Sequence, residues 1–178
     1  MGSSTTIARG TPSKVVACRL LVHPEEGLVA TLQFVVAGLE AGQQVFAMAG
    51  PARLKELAHC LGQGGLRPET LLHNRRLIFL TAPDCVSRFL KQGDPFRRGS
   101  LLRNGSLLRW VSDWSWACPS RSELPTVLRF QRRIHDFVHS IPALSLCTVD
   151  GEKMERSSLL ALLADHRRAV KIYVTQGH

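Results

Sequence analysis

The sequence predicts an α/β fold, a three-layer sandwich with a mostly parallel sheet and helices on both faces. Short, nearly unbroken apolar runs such as VVACRLLV at 15–22 have strand length and suit strands buried on both faces. They alternate with longer segments of helical periodicity, the pattern of repeated strand–helix–strand units. A chain of 178 residues, 44% hydrophobic and 21% charged, is of a size and composition for one domain with a real core.

Residues 1–14 are small and polar and read as a flexible leader, leaving 15–178 as a single domain. The first strand stops at His23-Pro24. Pro24 suits the first turn of a helix because its missing donor would be unpaired there, and Glu25 and Glu26 complement the positive helix end. This helix is expected to reach Glu40, to close at Gly42 and, being apolar almost all round, to be well buried. QVFAMAG forms a second strand ending at Gly50-Pro51, and residues 51–62 form a second helix closed by Gly62 to Gly65. A third strand is expected at 76–82 and a short helix around Val86 to Lys91, followed by a basic stretch from Asp94 to Ser106 that fits either a helix or a loop. The fourth strand spans Leu107 to Trp114. A long amphipathic helix follows at 122–140, then a fifth strand ALSLCTV, a helix from Ser157 to Asp165 and a last strand AVKIYV.

Ligands of open α/β sheets collect at the carboxyl ends of the strands, above helix N-termini. A phosphate loop at the first strand–helix turn needs glycines for converging backbone N–H groups, a lysine for the phosphate oxygens and a hydroxyl for magnesium. The turn His23-Pro24-Glu25-Glu26-Gly27-Leu28 has one glycine, no lysine and no hydroxyl, and its carboxylates would repel a triphosphate. Tight nucleotide binding at this turn is not expected.

The run LVATLQFVVAGLEAGQQVFAMAGPARLKELAHCL resembles the stretch that follows the phosphate loop in KaiC/RecA-type ATPases. More specifically, residues 15–174 resemble the MEDS domain, the methanogen/methylotroph DcmR sensory domain. The resemblance is carried by VVAGLEAGQQVFAMAGPARLKEL, by WVSDWSWAC, and by the pair IPALSLCTVDG and LLALLADHRRAV, in that order. It implies a RecA/KaiC-like sheet with a degenerate phosphate loop. It also implies a role in sensing small ligands or relaying signals to a DNA-binding, kinase or anti-sigma partner. The family's His and Tyr near the first strand are replaced by Cys18 and His23, and its Tyr before the aspartate of the fifth strand by Val149 before Asp150. If those aromatic and imidazole groups touch a ligand, the ligand here is expected to differ or to be absent.

Around the strand ends, His23, Glu25, Glu26, Asp113, Trp114 and Trp116 are the candidate ligand-binding residues. Asp113 sits where an ATPase keeps its magnesium-binding aspartate, but without a lysine loop it reads as a remnant or a hydrogen-bonding anchor. Strand alternation sets Trp110, Ser112, Trp114 and Trp116 on one face and Asp113 on the other. The tryptophans fit either packing against the long helix or, for Trp114 and Trp116, lining a pocket for an apolar or planar ligand.

The net charge of +9 favours acidic partners without choosing among them. Arg97, Arg98, Arg103 and Arg109, with Arg129, Arg132 and Arg133 on the long helix, are candidates for a partner or an anion, beside the plainer reading of a solvated basic face. No helix-turn-helix, zinc finger or RNA-binding aromatic pair accompanies them, so nucleic acid is the minor reading. His135 and His139 share a helix face at metal-pair spacing, but no third ligand is near in sequence and they read as surface imidazoles. No metal or cofactor is expected.

Five scattered cysteines without a C-x-x-C pair signal neither a disulfide framework nor a zinc knuckle, and no apolar run is long enough to cross a membrane. The expectation is a cytoplasmic, non-enzymatic sensory or regulatory domain, able to dimerise, whose output passes to a separate effector protein. A residual nucleotide-binding domain and a basic interaction module are the alternatives.

Overall fold

A computed structural model describes residues 17–21, 24–92, 107–117 and 123–169. The elements are β1 (Ala17–Leu21), α1 (Pro24–Glu40), β2 (Gln44–Ala49), α2 (Pro51–Gln63), α3 (Pro68–His73), β3 (Leu77–Thr81), α4 (Ala82–Gln92), β4 (Leu108–Asp113), α5 (Leu124–Ser140), β5 (Ala143–Thr148) and α6 (Arg156–Ala169). Among the described residues the strands form one sheet in the order β1-β5-β4-β2-β3, and every pairing is parallel.

Alternation along each strand divides the core into two layers, because successive side chains point to opposite faces. Val45, Ala47, Ala49 and Val111 join Val35, Leu39, Leu54, Leu57 and Leu61 from α1 and α2 on one face. Phe46, Met48, Trp110 and Cys147 join Phe130, Ile134, Val138 and Leu162 from α5 and α6 on the other. The sheet is thus covered on both sides, as a parallel sheet requires. Trp110 and Phe46, paired in register across β4 and β2, stack with ring centroids 5.5 Å apart.

Gly42 ends α1 with φ +70°, where only glycine is unstrained, and its N–H bonds to the carbonyl of Leu39 at 3.1 Å. Gly38 has another reason to be glycine. A Cβ there would lie 2.5 Å from Cδ of Arg109, whose side chain crosses α1. Arg109 is fixed in that position by Gln43 Oε1 at 2.7 Å, the Phe34 carbonyl at 3.0 Å and the Phe34 ring 4.7 Å beneath its guanidinium.

Several boundaries differ from expectation. α4 begins at Ala82, directly after β3, with the Thr81 hydroxyl donating to the Asp84 carboxylate across its first turn. α3 was not anticipated, although Pro68-Glu69 repeats the proline-plus-acid start of α1. α1 is not buried all round: Val29 is 54% exposed, since the helix meets the sheet on one side only. α6 runs on to Ala169, past the expected end at Asp165, while the rest of the expected last strand lies outside the described residues. The basic stretch at 94–106 and the leader lie outside them as well.

Candidate functional site

Parallel strands place all their carboxyl ends on one edge, and a cleft of about 920 Å³ opens there. It is lined by Leu28 from α1, by Gly50 before α2 and Pro51, Ala52, Arg53, Lys55, Glu56 and His59 along it, by Asp113 at the end of β4 with Ser115 and Trp116 beyond it, and by Lys153 after β5. Gly50 matters at the mouth: a Cβ there would come 3.2 Å from that of Trp116, so the β2–α2 elbow is packed closely under the indole.

The floor is a polar chain joining two strand ends. Asp113 is 4% exposed, and its Oδ1 accepts from the Ser115 N–H at 3.0 Å, the Ser115 hydroxyl at 2.5 Å and the Thr148 hydroxyl at 3.3 Å. Its Oδ2 lies 3.5 Å from Nε of Arg53, which also pairs with Glu56 at 2.8 Å. Ser115 Oγ in turn accepts from the Asp150 N–H at 2.8 Å. Asp150 holds the following turn through the Glu152 N–H at 3.1 Å and Lys153 Nζ at 2.8 Å. The Lys153 hydrogen bond is the main cause that holds the Asp150 carboxyl below its ordinary value, and the same bond raises Lys153 above its own.

Of the residues singled out from the sequence, Asp113 and Trp116 come together in this cleft. Trp114 does not line it: just past the end of β4, its ring is fully buried under α5, edge-on to Phe130 at 6.2 Å, while Trp116, expected on the same face, turns to the cleft with Asp113 because regular strand alternation has ended. Glu26 is exposed in the first turn of α1 and is not part of the lining; Glu25 is in the same turn, its side chain outside the described set. His23, Arg97, Arg98 and Arg103 lie outside the described residues.

Among the remaining arginines, Arg129, Arg132 and Arg133 are exposed at i, i+3 and i+4 of α5 and so share a face, and Arg109 stands apart from them. Arg109 is spent inside the fold on α1, Arg132 pairs with Asp165 at 2.6 Å, and Arg129 and Arg133 are exposed on α5. Sequence reasoning missed Arg53, Ser115, Asp150 and Lys153. The available signal was a polar residue two positions beyond a polar strand end, Asp113 then Ser115 and Thr148 then Asp150.

The expectation of a surface imidazole at His135 is corrected: it is 4% exposed. The reason is that α5 turns this position inward, toward Cys147 of β5 and His166 of α6, and the three donor atoms lie within 4.8 Å of one another. The His139 side chain is outside the described set.

A sheet that is parallel throughout the described residues, with helices on both faces and a cleft over its strand ends, defines an α/β domain of the ligand-binding layout. The family model of MEDS, the methanogen/methylotroph, DcmR sensory domain, matches residues 17–167, and the chain belongs to that family. Its role is therefore sensory or regulatory. No curated protein matches the chain. No helix among the described residues is long and apolar enough to cross a membrane.

Proposed function

We propose that this domain is a non-enzymatic sensor that binds a small, uncharged or zwitterionic ligand in the strand-end cleft and relays its presence to an effector protein in the cytoplasm. The observation that carries the reading is the largely paired charge of the cleft: Arg53 faces Asp113 and Glu56, Lys153 faces Asp150, and Lys55 is a further basic side chain in the lining. A triphosphate would have to compete with these carboxylates, and the first turn of α1 offers it Glu25 and Glu26 in place of a lysine. Loss of the phosphate loop from a RecA/KaiC-like ancestor accounts for that turn. A ligand seated on the Asp113–Ser115–Asp150 chain would meet hydrogen-bonding groups below and the half-buried Trp116 indole at the side.

The test is a thermal-shift and tryptophan-fluorescence screen with ATP, GTP, amino acids and small alcohols and amines. A small neutral or zwitterionic compound is expected to raise the melting temperature and to change the emission of the wild type but not of Trp116→Phe. A clear stabilisation by ATP, with no response to the small compounds, would overturn the reading in favour of a nucleotide-binding domain.

A further inference from the structure

On the other face of the sheet from the cleft, we propose that His135, Cys147 and His166 form a buried binding site for a borderline-soft divalent cation, with zinc as its type. Each donor comes from a different element: His135 from α5, Cys147 from β5 and His166 from α6. Their donor atoms lie within 4.8 Å of one another, with Cys147 Sγ and His135 Nε2 at 3.9 Å. The imidazoles meet edge to face, centroids 4.8 Å apart and planes at 83°, so their nitrogens are brought together without ring stacking. Tetrahedral zinc with nitrogen and sulfur ligands separates its donors by about 3.4–3.6 Å. The cluster therefore has to contract by roughly an ångström to close on a metal, a movement within the reach of side-chain rotation.

The surroundings supply an independent reason. His135, Cys147 and His166 are 4%, 1% and 2% exposed, beside the apolar cluster of Phe130, Ile134, Val138 and Leu162. The same α5–α6 interface also holds Gln131 Oε1, Ser158 Oγ and Asp165 Oδ2, each buried and without a hydrogen-bond partner among the described residues. Gln131 is one helical turn before His135, and Asp165 adjoins His166. Metal-bound imidazoles are commonly oriented by a carboxylate or carbonyl oxygen that accepts the second ring N–H.

Nitrogen and thiolate donors select zinc-like cations over magnesium or calcium, which take oxygen ligands. Three protein donors leave one position of a tetrahedron for water or a small exogenous ligand. On binding, the Cys147 thiol gives up its proton to solvent and the sulfur lone pair becomes the metal bond, so uptake releases protons.

The test uses the full chain, freed of metal with a chelator and titrated with cobalt(II), whose spectrum reports its ligands. One cobalt per chain is expected, with tetrahedral d–d bands and a near-ultraviolet sulfur-to-cobalt charge-transfer band, both abolished by zinc. Cys147→Ser is expected to lose the charge-transfer band and His166→Gln to lose the tetrahedral intensity, with far-ultraviolet circular dichroism confirming that each is folded. Cys60→Ser, which removes the half-exposed thiol beside His59, is expected to keep both. Absence of the charge-transfer band from the wild type at excess cobalt would overturn the proposal, whatever the variants do. So would a band that survives Cys147→Ser and disappears in Cys60→Ser.

Discussion

Replacing Asp113 by alanine removes the acceptor on which the cleft floor is built. One oxygen of this 4% exposed carboxylate takes three hydrogen bonds and the other faces Arg53. Hydrogen bonds to a charged group contribute about 1.5–3 kcal/mol, and a buried donor left unpaired costs a further 1–3 kcal/mol. These sums do not add fully: Ser115 Oγ keeps its bond from the Asp150 N–H, and Arg53 keeps Glu56. The expected loss is about 2–4 kcal/mol, reaching below the roughly 3–5 kcal/mol of a fully buried broken pair because Arg53 is partly exposed. For a domain of this size that corresponds to a fall of roughly 4–16 °C in melting temperature. Asp113→Asn keeps the oxygen that takes the three hydrogen bonds but loses the charge and sets an NH2 donor toward Arg53, so it is expected to cost less than alanine. Urea denaturation of the two variants measures both terms. Asp113→Ala within about 0.5 kcal/mol of wild type, the range of an ordinary surface change, would refute the hydrogen-bonded floor. Asparagine as damaging as alanine would refute the assignment of the effect to acceptor geometry.

Gly38→Ala is expected to cost about 1–3 kcal/mol in urea denaturation, because its Cβ meets Cδ of an Arg109 held on three sides, and Arg109→Ala in the same chain should recover part of the loss. Asp150 is depressed below 3.8 mainly by the Lys153 hydrogen bond, so its contribution is present above that pH and fades as pH falls through the lower folded value; Lys153, raised above 10.5, contributes below that pH and loses its effect at higher pH. Lys153→Met is therefore expected to flatten the pH dependence of stability below pH 3.8, followed by chemical denaturation, and an unchanged slope would refute the pairing. Burial pushes the Cys85 thiol up to about 11, so peptide-mapped alkylation at neutral pH is expected to label half-exposed Cys60 and to spare Cys85 until the chain unfolds.

Much of the scaffold was legible because its signals are local. Apolar runs of strand length marked the five strands of the described sheet, and Pro24, Gly42 and Gly50-Pro51 marked helix boundaries through the conformations those residues favour or exclude. Alternation in Trp110-Val111-Ser112-Asp113 placed aspartate and tryptophan on opposite faces. Period alone left the fate of Trp114 open. Only the position of α5 decides that its ring meets Phe130. α3 and the early start of α4 were missed because short capped turns carry little periodic signal.

The sequence by itself determined the parallel α/β class, the acidic turn at Glu25 and Glu26 in place of a phosphate loop, and the family. Each of these is written in contiguous residues. Tertiary structure alone decided which distant residues share a site. Crossovers bring the ends of β4 and β5 side by side, so Asp113 and Ser115 reach Thr148 and Asp150. Packing of α5 and α6 on β5 gathers His135, Cys147 and His166, which no spacing rule connects, because their separations are set by loops and layers and not by the pitch of a helix.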